Sequence, residues 1–367
     1  MDLLRLASGM RPLTLTATTT ATPQTVTIQQ LTHRVPTVIS WGDGSSDNVA
    51  ANYTGTHTHA YATPGTYNIV VHRAQHITAI DIRVPQIGGL NTAQLRASPI
   101  TDFRASEMSA GCVIRSADMA SWTPTTWSMR SMPAGNYDIQ STHMAGWTPT
   151  TWSLFDVPAG NYDIQSTHMA GWTPTTWNLF SMPAGNYDIQ SVHMAGWTPA
   201  TWRLYTMPAG SYDIQSTHMS GWTPTTWRLD AMPAGSYDIQ STHMAGWTPV
   251  NWWLYTMPAG SYDITGTEFA SWTSIRDLRC YSLNPAVPTA TVDAWINAIW
   301  AARNGYTWAS NIVLNIGGTN GAPTGTVQNV CPPTTPAEKL YNLHHIQCVG
   351  DTHNVWSPIT YTGGSLP

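Results

Sequence analysis

A tryptophan recurs every 25 residues along the middle of the chain: Trp122, Trp147, Trp172, Trp197, Trp222, Trp247 and Trp272. The text between them is nearly copied. One interval, Trp172 to Gly196, reads WTPTTWNLFSMPAGNYDIQSVHMAG. A fixed period of about 20–50 residues marks a solenoid or an array, because one unit cannot bury its inner face alone and stacked units share a core.

Within one turn, Tyr137-Asp138-Ile139-Gln140-Ser141-Thr142 alternates apolar and polar residues, the period-2 signal of a strand. Pro133-Ala134-Gly135 before it and Gly146-Trp147-Thr148-Pro149 after it supply turns. Thr148 to Pro158 carries two prolines and no 3.6 period, which predicts short 3-10 or extended pieces rather than a long helix. Rungs about 4.8 Å apart would stack like on like. One expected core ladder is Tyr137, Tyr162, Tyr187, Tyr212, Tyr237 and Tyr262. Its neighbour is Ile139, Ile164, Ile189, Ile214, Ile239 and Ile264, with Met144 to Met244 and two Trp columns beside them. A buried aromatic side chain contributes on the order of 2–3 kcal/mol by area, with about 0.5–1.5 more for ring pairing. Few Leu and Phe residues are then needed.

The turn reads Ala134-x-x-Tyr137-x-Ile139-x-x-Thr142-x-Met144, followed by Ala145-Gly146-Trp147-Thr148-Pro149. In length and register it resembles a leucine-rich repeat, L-x-x-L-x-L-x-x-N-x-L with an L-x-G-x-I-P continuation. It departs from that pattern at Ala134, Tyr137, Thr142 and Met144, and the resemblance covers roughly Ile77 to Val313. Upstream, Trp41-Gly42-Asp43-Gly44-Ser45 and the stretch from Thr58 to Val71, with His59, Tyr61, Pro64-Gly65 and Tyr67, resemble the two signature stretches of a PKD domain. That resemblance implies an immunoglobulin-like sandwich of the kind that serves as a spacer or adhesive module on surface proteins. Short strands are expected at Thr14–Thr18, Gln24–Gln30, Pro36–Trp41 and Thr66–His72.

The expected fold is mainly β. A PKD-like β-sandwich spans residues 1–75, and a leucine-rich-repeat-like solenoid spans 76–288 with regular turns over about 112–272. A small α/β C-terminal cap spans 289–367. In and before the cap, strands are expected near Leu278–Leu283 and Asn311–Ile316. Helices are expected over Val292–Arg303, with Thr291 as N-cap, and over Pro336–His345, with Thr335 as cap.

Charged residues make up 10% of the chain and the net charge is −5, which argues against a nucleic-acid binder. Nineteen Trp and 15 Tyr argue against disorder. No apolar run approaches the ~20 residues of a membrane span. The start, Met1-Asp2-Leu3-Leu4-Arg5, lacks a basic stretch leading into an apolar one. Export is therefore expected through lysis or a dedicated machine, or from a longer precursor. Cys112 falls on a core position, and Cys331 and Cys348 could pair or remain two buried thiols.

Asp138, Asp163, Asp188, Asp213, Asp238 and Asp263 lie between inward residues and so face outward. They could form a cation- or ligand-binding stripe. Alternatively each accepts hydrogen bonds from nearby Ser, Thr or backbone groups, the reading favoured because carboxylates alone do not enclose calcium. His143, His168, His193, His218 and His243 form a second ladder, and Asp118 and Glu268 take the same position in flanking turns, which points to turn packing. His57 with His59, and His344-His345 with Cys348 and His353, match no trusted metal spacing. No nucleophile elbow, P-loop or dinucleotide fingerprint occurs. Six equivalent aspartates do not provide the differing environments that an acid–base pair needs.

These readings lead to an expected non-enzymatic structural or adhesive protein without cofactor or metal, on a virion (a phage tail fibre or decoration) or otherwise extracellular. Its partners would be a protein or glycan on a cell or virion surface, with self-association into a filament or tube. The alternatives are a polysaccharide-active enzyme with an accessory PKD-like module and an intracellular protein-binding scaffold.

Overall fold

The structure, a computed structural model, describes residues 11–305, 312–328, 331–345 and 356–366. The chain forms two compact units, Met1–Pro174 with Ser181–Tyr187, and Thr175–Phe180 with Asp188–Pro367.

The first unit opens with an antiparallel sheet in the order Ser46–Val49, Thr37–Ser40, Gly65–Val71, Leu13–Thr19, Ile87–Gly88. A two-stranded pair, Gln24–Ile28 with His57–Tyr61, accompanies it. Leu13, Leu15, Ile39, Trp41, Ile69 and Val71 alternate with polar residues and are fully buried. The expected strand Gln24–Gln30 is divided, because Gln24–Ile28 pairs with His57–Tyr61 while Gln30–His33 pairs with Ile77–Ile82. The Trp41–Ser45 stretch is held by its own side chains. Trp41 Nε1 donates to Asp47 at 2.9 Å, Tyr61 Oη donates to the Trp41 carbonyl at 2.8 Å, and Asp43 Oδ1 accepts from Ser45 N at 2.9 Å. Gly42 is required there, since its φ is 87° and a Cβ would lie 2.7 Å from the Asn68 carbonyl oxygen.

Each 25-residue coil lays down two strands. One coil runs Asn136–Gln140, a 3-10 turn at Ser141–Met144, a left-handed Gly146, then Thr151–Phe155. The second strand lies in the stretch expected to be only short 3-10 or extended pieces. Its alternation explains it: Trp152 and Leu154 point inward, while Thr151, Ser153 and Phe155 point outward. Successive strands pair in parallel, giving a Trp sheet and a Tyr sheet. In the first unit the Trp sheet runs Gln30–His33, Ile77–Ile82, Asp102–Ser106, Thr126–Arg130, Thr151–Phe155, with only its first pair antiparallel. In the second it runs Thr176–Phe180, Thr201–Tyr205, Thr226–Asp230, Asn251–Tyr255, Asp277–Tyr281.

The two sheets have different registers. In the Trp sheet like faces like: Trp127 pairs with Trp152 and Trp202 with Trp227. In the Tyr sheet Ile139 pairs with Tyr162, Asp138 with Asn161 and Gln140 with Asp163. The second unit repeats this, with Asp213 opposite Ser236 and Ile214 opposite Tyr237. Each Tyr-sheet strand is thus displaced by two residues from the like-on-like stacking expected of its tyrosines and aspartates. A shift of two keeps inward residues inward, so both arrangements bury the same face. Tyr137, Tyr162, Tyr187, Tyr212 and Tyr237 are buried, with Ile139, Ile164, Ile189, Ile214, Ile239 and Ile264, whereas Tyr262 is half-buried near the end of that sheet. Each ring reaches back over a glycine, and Tyr137 Oη donates to the Pro133 carbonyl at 2.7 Å.

The core between the sheets is an interlocked array of indoles. Neighbours along the column stack at 5.6 Å and 17° for Trp127–Trp152, and at 5.7 Å and 16° for Trp202–Trp227. The other Trp column meets them tilted, as in Trp202–Trp222 at 6.0 Å and 59°. Tilted pairs set the positive edge of one ring against the negative face of the next. That attraction offsets buried Nε1 groups at Trp202, Trp222 and Trp227 that have no hydrogen-bond partner.

After Trp272 the Trp sheet of the second unit continues through Ile312–Asn315 and Trp356–Tyr361 in parallel, and ends in an antiparallel turn to Gly364–Leu366. The helix Thr289–Ala302 buries Val292, Trp295, Ile296 and Ile299. It starts before Thr291, because Pro288 takes the N-cap position with φ −63°, a geometry proline presets. The helix Pro336–His345 has a capping box: Thr335 Oγ1 accepts from Glu338 N at 3.3 Å and Glu338 Oε2 accepts from Thr335 N at 2.9 Å.

Candidate functional site: the outer face of the Trp sheet

Within the Trp strand, variation among the copied coils is concentrated at two positions; the residue that follows the strand also varies, as Ser131, Asp156, Ser181, Thr206, Ala231 and Thr256. The third residue of the Trp strand is Ser128, Ser153, Asn178, Arg203, Arg228 and Trp253 in turn; the fifth is Arg130, Phe155, Phe180, Tyr205, Asp230 and Tyr255. Both positions share the strand parity opposite the buried Trp and Leu, so both face out of the sheet. Freedom from packing does not by itself explain the variation. The first residue of the strand shares that face and remains Thr126, Thr151, Thr176, Thr201 and Thr226, changing only to Asn251 in the sixth coil. The incoming types are Arg, Tyr, Trp and Phe, with Asn178 and Asp230; Arg, Tyr and Trp are the residues enriched in binding hot spots.

In the second unit these side chains pack into one layer. Phe180 and Tyr205 stack at 4.2 Å, and Tyr255 and Tyr281 at 4.7 Å. The Arg228 guanidinium lies 3.4 Å over the Tyr205 ring and 5.0 Å from the Trp253 ring. Arg228 also pairs with the buried Asp230 and donates to Tyr255 Oη at 2.9 Å. Burial and Asp230 together push the Tyr255 phenol up to about 12. Arg279 is held by Asp277 through two bonds of 2.8 Å.

In the first unit the same face carries Asp81 paired with Arg83 and Asp102 paired with Arg104. Arg83, Arg104, Ser106, Ser128 and Arg130 line a depression of about 310 Å³.

The aspartate ladder lies on the outer face of the Tyr sheet. Asp138, Asp163, Asp188, Asp213 and Asp238 are half-buried and Asp263 is exposed. Their donors are amides rather than the Ser, Thr and backbone groups expected. Asp138 Oδ1 accepts from Gln140 Nε2 at 3.0 Å and from Asn161 Nδ2 at 2.8 Å; Asp163 Oδ1 accepts from Gln165 at 2.9 Å and Asn186 at 3.0 Å. The register shift makes this possible, because it sets Asn161 rather than a second carboxylate opposite Asp138, and Ser211, Ser236 and Ser261 opposite Asp188, Asp213 and Asp238. Among the described residues no group of three or more His, Cys, Asp or Glu could hold a metal ion.

The histidine ladder is fixed from the preceding coil. Ser141 Oγ lies 3.0 Å from His168 Nδ1, and Ser216 Oγ lies 3.0 Å from His243 Nδ1. Each serine is buried and also accepts a backbone N–H, as Ser216 does from Gln240 at 2.8 Å. Where Asp118 replaces His, its carboxylate takes Arg96 at 2.6 Å and Thr92 Oγ1 at 3.0 Å. Sequence reasoning missed these serines, although a serine at a fixed place in every coil was a readable signal.

His59 is bound to Asp43 at 2.7 Å and stacks on Trp41, while His57 meets the Leu31 carbonyl at 3.3 Å. Cys112 and Cys280 are buried free thiols. Cys348 and His353 lie outside the described residues, and with them the choice between a Cys331–Cys348 pair and two thiols and the grouping with His344-His345. Among the described residues no helix is long and apolar enough to cross a membrane. Compared with protein families, with curated proteins and with solved structures, the chain matches none.

Proposed function

We propose that the protein is a non-enzymatic recognition and structural module that binds its partner through the outer face of the Trp sheet. The observation behind this reading is the confinement of Arg, Tyr, Trp and Phe substitutions to two outward positions of closely similar coils. A repeat held constant for packing and varied on one face is the pattern of a scaffold with a tuned surface. The N-terminal β region, with its Trp41, Asp43 and Tyr61 contacts, supports a PKD-like spacer, and the coils are read as leucine-rich-repeat-like, with a second strand where that family has a looser segment. In this reading the protein works outside a cell or on a virion, as an adhesive or fibre component, and its partner is a surface glycan or protein.

The test is a glycan array and a cell-surface binding assay with the whole chain. The wild type should give a defined binding profile. Trp253→Ala and Arg228→Ala should each weaken it about tenfold or more, the scale of a hot-spot truncation, and Asp213→Asn on the other sheet should leave it unchanged. A profile lost with Asp213→Asn but kept with the two face variants would overturn the assignment.

A further inference from the structure

On the Trp-sheet face four arginines have an acid two residues away in the chain: Asp81 for Arg83, Asp102 for Arg104, Asp230 for Arg228 and Asp277 for Arg279; Arg130, in Thr126–Arg130, and Arg203 do not. The strand containing Arg203 reads Thr201-Trp202-Arg203-Leu204-Tyr205 and supplies none. Across the sheet Arg203 faces Asn178 on one side and Arg228 on the other. The nearest carboxylate in that register, Asp230, has both oxygens engaged by Arg228. Arg203 is half-buried and its Nε is enclosed without a hydrogen-bond acceptor; burial, together with the neighbouring Arg228 and against Tyr205, disfavours its charge. Two arginines opposite each other on neighbouring strands, with one carboxylate taken by Arg228, leave a cation for an incoming anion to satisfy. A guanidinium recognises a carboxylate through paired N–H donors.

The surroundings define the rest of the ligand. Next to Arg203 lie the Thr201 hydroxyl, the Asn178 amide and the Phe180–Tyr205 pair. One cation without an acid of its own, Arg228 being paired with Asp230, among hydroxyl, amide and aromatic groups matches a ligand with many hydroxyls and one carboxylate per residue, rather than a densely charged polyanion. A peptide strand has no place to add here, because the strands holding Arg203 are paired on both sides. We infer that Arg203 anchors the carboxylate of an acidic saccharide, a uronic-acid residue, on the outer face of the Trp sheet. This rests on the recognition-face reading above and specifies its ligand class.

The experiment titrates the full chain with a tetramer of galacturonic acid, a neutral cellotetraose and a poly-glutamate peptide, following tryptophan fluorescence and calorimetry. The galacturonate oligomer should bind at least tenfold more tightly than the neutral one. Arg203→Gln should remove that preference, Arg203→Lys should retain part of it, and Arg130→Gln should leave it intact. Unliganded Arg203→Gln should melt no lower than wild type, since it relieves the contact with Arg228. Equal binding by wild type and Arg203→Gln would overturn the assignment, as would tighter binding of poly-glutamate through Arg203. Binding lost with Trp253→Ala but indifferent to Arg203 would sink this inference while leaving the recognition face standing. No binding of either saccharide would sink it too, and the face would then stand or fall on the array.

Discussion

At the scale of single residues, His33 is the clearest titrating group. Its side chain is fully buried, and burial, with His57 nearby, pulls its imidazole down from the ordinary value to about 4. The unfolded chain therefore binds a proton near pH 6.5 that the folded chain refuses until about pH 4. Stability from this site is complete above about pH 6.5 and is lost as pH falls from there towards 4, by on the order of 2 kcal/mol. Urea unfolding at pH 7.5 and pH 4.5 should show that loss, and His33→Phe should have the smaller slope between the two. Equal slopes would mean that the imidazole is already charged or hydrated in the fold.

At the scale of the strand, the two faces of Thr201–Tyr205 should respond oppositely. Trp202 is buried between neighbouring indoles, whereas Tyr205 lies on the outer face. Trp202→Ala should cost about 3–5 kcal/mol, and Tyr205→Ala about 1 kcal/mol or less, read as shifts in the urea midpoint. The reverse order would exchange core and surface. Much of this element was legible in the sequence. Alternation at Tyr137–Gln140 gave the Tyr strand, the period gave the coil, and the inward Tyr and Ile positions followed from parity. The Trp strand was obscured by its flanking Thr-Pro and Met-Pro turns, although Trp-x-Leu alternates as clearly as Tyr-x-Ile. The register of the Tyr sheet was not legible, because a 25-residue period fixes the length of a coil and not how far each strand slides on the next. That slide brings Asn161 to Asp138, so the chemistry of the aspartate ladder also could not be read from spacing. The proposed recognition face was within reach of the sequence, since its substitutions stand out once the coils are aligned by strand parity.

At the scale of the whole molecule, a chain with 10% charged residues and 19 Trp is held by repetition. Each coil adds like indole contacts to the one before it, and all but the sixth, which has Gly266 and Asn251, add the same buried serine and the same strand-opening threonine. Stability in such an array is a sum of like terms between neighbours, and a coil is the natural unit of gain or loss. The most direct measurement is the thermal and urea unfolding of a chain lacking Trp197–Gly221, one full period within the second unit, which joins Gly196 to Trp222. The shortened protein should be soluble, keep its β-type circular dichroism and unfold in a cooperative transition at a modestly lower midpoint. Aggregation, or a broad melt without cooperativity, would contradict the assignment of one coil to each 25-residue block.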